Sequence, residues 1–139
     1  MLRGLATVNL YADDVAEAAR WYAEFLGVEP YYSVPGPDGK PAYIEFRLGD
    51  YQHELGFIDR RFAPPGAANA PGGALANWHV DDIEAVFARL LELGATQYEP
   101  ITRRSESFVT ASVVDPFGNV LAIMSNPHYR EVLAKTGPF

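Results

Sequence analysis

Three histidines, several carboxylates and no cysteine set the chemistry open to this chain. Without a thiol there is no disulfide, no thiolate nucleophile and no cysteine-ligated zinc or iron–sulfur centre. His79 is the strongest candidate for general acid–base work, because an imidazole titrates near neutral pH. Glu45 and Glu54 are the carboxylates available to orient it or share its proton. The plainer assignment for His79 is a hydrogen bond within a ligand cleft or at its rim. His53 alternates with Leu55 and Phe57, which places it at a strand end on the packed side, and His128 falls in a Pro-containing tail expected to be exposed. Histidines scattered in this way do not form a His-x-His or two-His-one-carboxylate site. Glu54 has three open roles: lone metal ligand, general base, or cross-strand ion-pair partner of Arg47. Arg47 equally suits a ligand carboxylate. Tyr11, Tyr43 and Trp78 offer stacking surfaces, although strand alternation assigns Trp78 to the core. Gly72-Gly73 is not a phosphate loop, since no Lys-Ser/Thr follows it.

These side chains must be positioned by a small set of elements, and the chain contains two copies of one pattern. Ala12-Asp13-Asp14-Val15 opens a helical stretch ending Phe25-Leu26-Gly27, and Val80-Asp81-Asp82-Ile83 opens another ending Glu92-Leu93-Gly94. The copies lie about half a chain apart, too far for a solenoid repeat, so a duplicated module is indicated. In the first helix Asp14 is placed to cap, with Glu17 in capping-box position and Gly27 as the stop. Val15, Ala18, Ala19, Tyr22, Phe25 and Leu26 share its apolar face. The second helix repeats the pattern with Asp82, then Ile83, Val86, Phe87, Leu90 and Leu93. Ala6 to Ala12 and Leu75 to Val80 read as strands before the helices. Three strand-like pieces follow each helix, near 28–34, 42–48 and 52–58, and near 95–99, 107–114 and 119–124. Asp115-Pro116-Phe117-Gly118-Asn119 is a turn between the last two. Module one spans about 5–58, a Pro/Gly-rich linker about 59–73, module two about 74–125, and a tail 126–139. Part of the tail, Asn126 to Leu133, has the makings of a short helix that closes a cleft, meets a second subunit or packs on the surface.

Period-two alternation divides each strand into a packed face and an open face. With Val8 and Leu10 packed on the helix, Thr7, Asn9 and Tyr11 face the cleft. With Ala76, Trp78 and Val80 packed, Leu75, Asn77 and His79 face it. Tyr43, Glu45 and Arg47 follow by the same rule, as do Thr110, Ser112 and Val114, and Val120, Ala122 and Met124. The expected lining has an apolar floor, hydroxyls, amides and a few charges, which suits an organic ligand with polar decoration.

The bulk properties narrow the partners. The 139 residues are one ordinary domain's worth, 48% hydrophobic and 21% charged, enough for a core and against disorder. A net charge of -7 repels a phosphate backbone, so nucleic acid is not an expected partner. No apolar run approaches the roughly 20 residues that span a bilayer, and the first residues lack a secretory core, so no membrane partner is expected and a cytoplasmic location is.

The order strand-helix-strand-strand-strand, twice, resembles the vicinal-oxygen-chelate superfamily of glyoxalase, bleomycin-resistance and dioxygenase-like proteins. The resemblance rests on Tyr11-Ala12-Asp13-Asp14-Val15 with Trp21-Tyr22 and Leu26-Gly27, on Val80-Asp81-Asp82-Ile83 with Leu93-Gly94-Ala95, and on Val114-Asp115-Pro116-Phe117-Gly118-Asn119. It covers about residues 5–125. It implies an α+β fold in which two βαβββ modules form a curved, barrel-like mixed sheet around a cleft, with the helices outside, in a homodimer. It also implies four metal-ligand positions, occupied here by Thr7, Leu75, Ala122 and, near the end of the first module, Glu54. Leucine and alanine cannot coordinate a divalent cation, and one carboxylate with a hydroxyl is a poor site. No cofactor is therefore expected, and a divalent metal is disfavoured. The leading expectation is metal-independent binding of a small organic molecule, as in sequestration of a drug or natural product for resistance. Two enzyme readings compete with it. One is a glyoxalase-like lyase or isomerase, or a dioxygenase, with a non-standard metal site near Glu54. The other is a metal-free acid–base enzyme using His79 with Glu45 or Glu54.

Overall fold

Asp14 and Asp82 start the two main helices in the same way. Each has extended backbone, and its carboxylate accepts the backbone N–H three residues on, from Glu17 and from Ala85, at 3.0 Å in both cases. The computed structural model describes residues 1–67, 70–71 and 73–138. Of the expected linker, residues 68, 69 and 72 lie outside the described residues, so the Gly72-Gly73 pair is not described as a whole; Phe139 at the end of the tail also lies outside them. The chain divides into two compact units, with the boundary after Ala67.

The first unit contains β1 (Thr7–Ala12), α1 (Val15–Leu26), β2 (Tyr32–Pro35), β3 (Pro41–Leu48), β4 (His53–Asp59) and a short 3-10 helix (Arg60–Phe62). Its sheet order is β1-β4-β3-β2, with β1 parallel to β4 and the other pairs antiparallel. Parallel neighbours need a crossover, and α1 is part of it. Val15, Ala18, Ala19 and Tyr22 of α1 are buried, as are Ile44, Phe46, Leu55 and Phe57 of the sheet. The Tyr22 and Phe57 rings lie 4.7 Å apart. Gly27 ends α1 with φ 71°, a conformation costly for a side chain with a Cβ. The strand expected from residue 28 begins instead at Tyr32. Pro30 has no N–H to give to a ladder, and the first bond to the sheet comes from Tyr31 N–H to the Glu45 carbonyl, at 2.7 Å.

The second unit contains β5 (Asn77–His79), α2 (Ile83–Glu92), β6 (Thr96–Arg103), β7 (Val109–Val114), β8 (Val120–Ser125) and α3 (Pro127–Thr136). Its sheet order is β5-β8-β7-β6, with β5 parallel to β8, so the first unit's topology is repeated. Ile83, Phe87 and Leu90 of α2 are buried with Val109, Ala111, Val113, Leu121 and Ile123. The Asp115 carboxylate accepts N–H groups from Phe117 and Asn119, both at 2.9 Å, closing the β7–β8 turn. β6 runs on to Arg103, beyond its expected end near 99, because two register shifts let it continue past Pro100. The fold is α+β: two four-stranded mixed sheets, each with its own crossover helix.

Replacing either capping aspartate by alanine removes one bond to an orphan helix N–H and should cost about 1 kcal/mol. Urea denaturation of Asp14→Ala and Asp82→Ala should show similar losses. A loss at one site only would show that the two helix starts are not equivalent.

Candidate functional site

On the open face of the first sheet, strand register brings the predicted polar residues together. Thr7 lies opposite Glu54, Asn9 opposite Gly56, Arg47 opposite Glu54 and Glu45 opposite Gly56. The Thr7 hydroxyl donates to Glu54 Oε1 at 2.7 Å, and Arg47 Nη2 lies 3.7 Å from Glu54 Oε2. Arg47 also sets its guanidinium 3.7 Å over the Tyr31 ring. Of the roles open to Glu54, the cross-strand ion pair is therefore present. The Tyr43 hydroxyl donates to Glu45 Oε1 at 2.7 Å, and Glu45 is buried. Burial, and then the bond to Glu45, pushes the Tyr43 phenol above its usual range, so it keeps its proton and acts as a hydrogen-bond donor. Gly56 makes this arrangement possible. A Cβ there would overlap the Tyr43 hydroxyl and the Asn9 side-chain oxygen. The role of Gly56 was signalled only by an isolated glycine in a strand pattern. Tyr11 lies opposite Ile58 on the same face.

In the second unit six of the expected lining residues surround one concavity of about 330 Å³. They are Leu75, Asn77, Thr110, Ser112, Ala122 and Met124, joined by Glu99, Arg104, Phe108 and Ala111. Ser112 is buried and its hydroxyl donates to Glu99 Oε1 at 3.3 Å; Arg104 Nε donates to the Thr110 hydroxyl at 3.2 Å. Arg104 went unrecognised in the sequence because it depends on the prolonged β6 and the hairpin after it. Glu99 and Phe108 lay within or at the ends of the expected strands, and for Glu99 the register shifts on either side decide the face.

His79 pairs in register with Met124, which places it on the open face as alternation predicts. Its ring, however, is covered by α3. Tyr129 stacks on it at 4.6 Å with an interplanar angle of 14°, and Nδ1 accepts the Asn126 N–H at 3.1 Å. Nε2 is buried without a hydrogen-bond partner among the described residues. Asp81 Oδ1 is a charge neighbour 3.4 Å away, but it already accepts from Arg130 at 3.0 Å. The carboxylate beside His79 in its own unit is thus Asp81, and the imidazole anchors the start of α3. His53 begins β4 with its ring 5.9 Å from Tyr51, and His128 lies exposed on α3 near Glu131.

The chain matches the Glyoxalase/Bleomycin resistance protein/Dioxygenase superfamily over residues 4–123, and it belongs to that superfamily. Two uncharacterized mycobacterial proteins are each 30% identical to it over 116 residues, or 80% of this chain. Mb0911c of Mycobacterium bovis is matched over 76% of its length, and Rv0887c of Mycobacterium tuberculosis over 68%. Among solved structures, protein ATC0852 of Agrobacterium tumefaciens gives a TM-score of 0.71 at 22% identity, covering 89% of this chain and 98% of that one. A glyoxalase-related enzyme of Fulvimarina pelagi gives 0.69 at 20% identity, covering 91% and 90%. A lactoylglutathione lyase of A. tumefaciens gives 0.65 at 21% identity, covering 88% and 93%. At these identities the likeness is one of fold.

The residues at the four implied ligand positions do not fit a divalent metal. Leu75 and Ala122 carry no donor atom. Glu54 has one oxygen hydrogen-bonded by the Thr7 hydroxyl and the other facing the Arg47 charge at 3.7 Å, and with Thr7 it makes a poor donor set. Among the described residues no group of three or more His, Asp or Glu side chains is placed to hold an ion.

Tyr43→Phe leaves the buried Glu45 carboxylate without its donor and should cost about 1–3 kcal/mol in urea denaturation. The folded phenol holds its proton more tightly than an unfolded one. Its contribution is therefore full below about pH 10 and declines as pH rises above that. The gap in stability between wild type and Tyr43→Phe should accordingly narrow in alkali. A gap that stays constant would show that the Tyr43–Glu45 bond does not stabilise the fold.

Proposed function

We propose that this protein binds a small, partly apolar organic molecule without a metal, and serves to sequester a drug or natural product. The observation that carries this reading is the fate of two implied ligand positions. Leu75 and Ala122, where metal donors would stand, are apolar walls of the concavity in the second unit. Phe108 and Met124 extend the apolar surface, and Asn77, Ser112 and Thr110 supply a few oriented polar groups. Glu99 and Arg104 add one charge of each sign, and apolar walls with a small number of placed polar and charged groups are typical of small-molecule sites. A superfamily whose description includes bleomycin resistance proteins supports sequestration as the use of such binding.

The experiment is metal analysis of purified protein, paired with melting curves in chelator and in added Mn²⁺, Ni²⁺, Zn²⁺ or Fe²⁺. A cation that selects the folded state at 100-fold excess over its dissociation constant contributes about 2.7 kcal/mol, a shift of several degrees for a chain of this length. The expected result is no stoichiometric metal and no shift. Stoichiometric metal with a chelator-sensitive melt would overturn the reading and favour a lyase, isomerase or dioxygenase built on Glu54.

A further inference from the structure

We infer that the concavity of the second unit is built for a carboxylic acid: a one- or two-ring or branched aliphatic body with its carboxylate held by Arg104. The inference rests on the proposal that this concavity is the binding site, and it names the ligand class and the residue that selects it.

Arg104 is fixed at the mouth from two directions. Its backbone N–H donates to the Phe108 carbonyl at 2.8 Å, closing the hairpin from β6 to β7, so Arg104 and Phe108 stand opposite each other. Its Nε donates to the Thr110 hydroxyl on the sheet. The nearest carboxylate oxygen, Glu99 Oε2, lies 3.8 Å from Nη2, which is an ion-pair distance beyond hydrogen-bond range. The Nη1 and Nη2 edge of the guanidinium therefore has a charge neighbour but no hydrogen-bond acceptor among the described residues. That edge is the planar fork that binds a carboxylate with two parallel bonds.

Glu99 is the competing anchor, for an ammonium ligand. Each of the pair makes one hydrogen bond, Glu99 Oε1 with Ser112 and Arg104 Nε with Thr110, but Glu99 has one oxygen left, already facing Arg104, whereas Arg104 has two terminal nitrogens left. The unfilled valence at the mouth belongs to the cation. The net charge of -7 opposes an acid only at long range, and physiological salt screens such charge beyond about 8 Å. The volume of about 330 Å³ is at the small end for ligand sites, which limits the body to one or two rings over Phe108 and Met124.

The test uses isotope-labelled full chain titrated with three probes of one shape: 2-naphthoate, neutral 2-naphthamide and cationic 2-naphthylmethylammonium. Naphthoate should saturably shift the Arg104 side-chain Nε–H, the Phe108 and Thr110 amides and the Met124 methyl. It should bind at least about tenfold more tightly than the amide, equivalent to about 1.4 kcal/mol. Arg104→Gln should abolish that preference, and Arg104→Lys should keep part of it as a point charge. Glu99→Gln should tighten naphthoate severalfold by freeing the guanidinium. Equal binding of naphthoate and amide in the concavity would overturn the carboxylate inference and leave the binding proposal standing. So would a preference for the ammonium that Glu99→Gln removes. If no probe shifts a resonance of the concavity, both fall.

Discussion

The parallel seam between the first and last strand of each unit is the constraint on which the site depends. Antiparallel neighbours can be joined by a tight turn, but β1 beside β4, and β5 beside β8, can be reached only by sending the chain over one face of the sheet. The helix in that crossover must then pack on the face it traverses, and the opposite face is left for chemistry. Register does the rest. Pairing Thr7 with Glu54 and Asn77 with Ala122 determines which side chains share the open face, and a slip of one residue would turn each set inward.

The two open faces have taken opposite characters on the same scaffold. In the first unit Thr7 with Glu54 and Tyr43 with Glu45 are hydrogen-bonded at 2.7 Å, and Arg47 lies beside Glu54 as a charge neighbour at 3.7 Å. Such a network leaves little valence for a ligand, and its cost of burial is met internally. In the second unit apolar Leu75, Phe108, Ala122 and Met124 share the face with the hydroxyls of Ser112 and Thr110, and the Arg104 terminal nitrogens have no hydrogen-bond acceptor among the described residues. The superfamily match and the solved structures establish the fold on which this contrast is built.

Much of this was legible in the residues. The capping aspartates, the stop at Gly27 and the Asp115 turn are local signals, and each has the predicted geometry. Alternation put Thr7, Glu45 and Arg47 on one face, and Thr110, Ser112 and Met124 on another, because period two in a half-buried strand leaves little choice. What remained hidden was set by tertiary events. Pro30 delayed β2; register shifts on either side of Glu99 set its face and carried β6 past Pro100, so that Arg104 reaches the concavity. Covering of His79 by Tyr129 depends on where α3 folds back, which a tail sequence does not encode by periodicity.

The duplication has a consequence for how such a chain can change. In each half the crossover helix and the apolar core lie on the face away from the open one, so a change confined to an open-face side chain leaves the helix contacts in place. One half can keep an internally neutralised lattice of polar groups while the other drifts toward a new ligand, and neither change disturbs the helix packing. A repeated topology thus presents two open surfaces, and one chain can carry a different set of side chains on each.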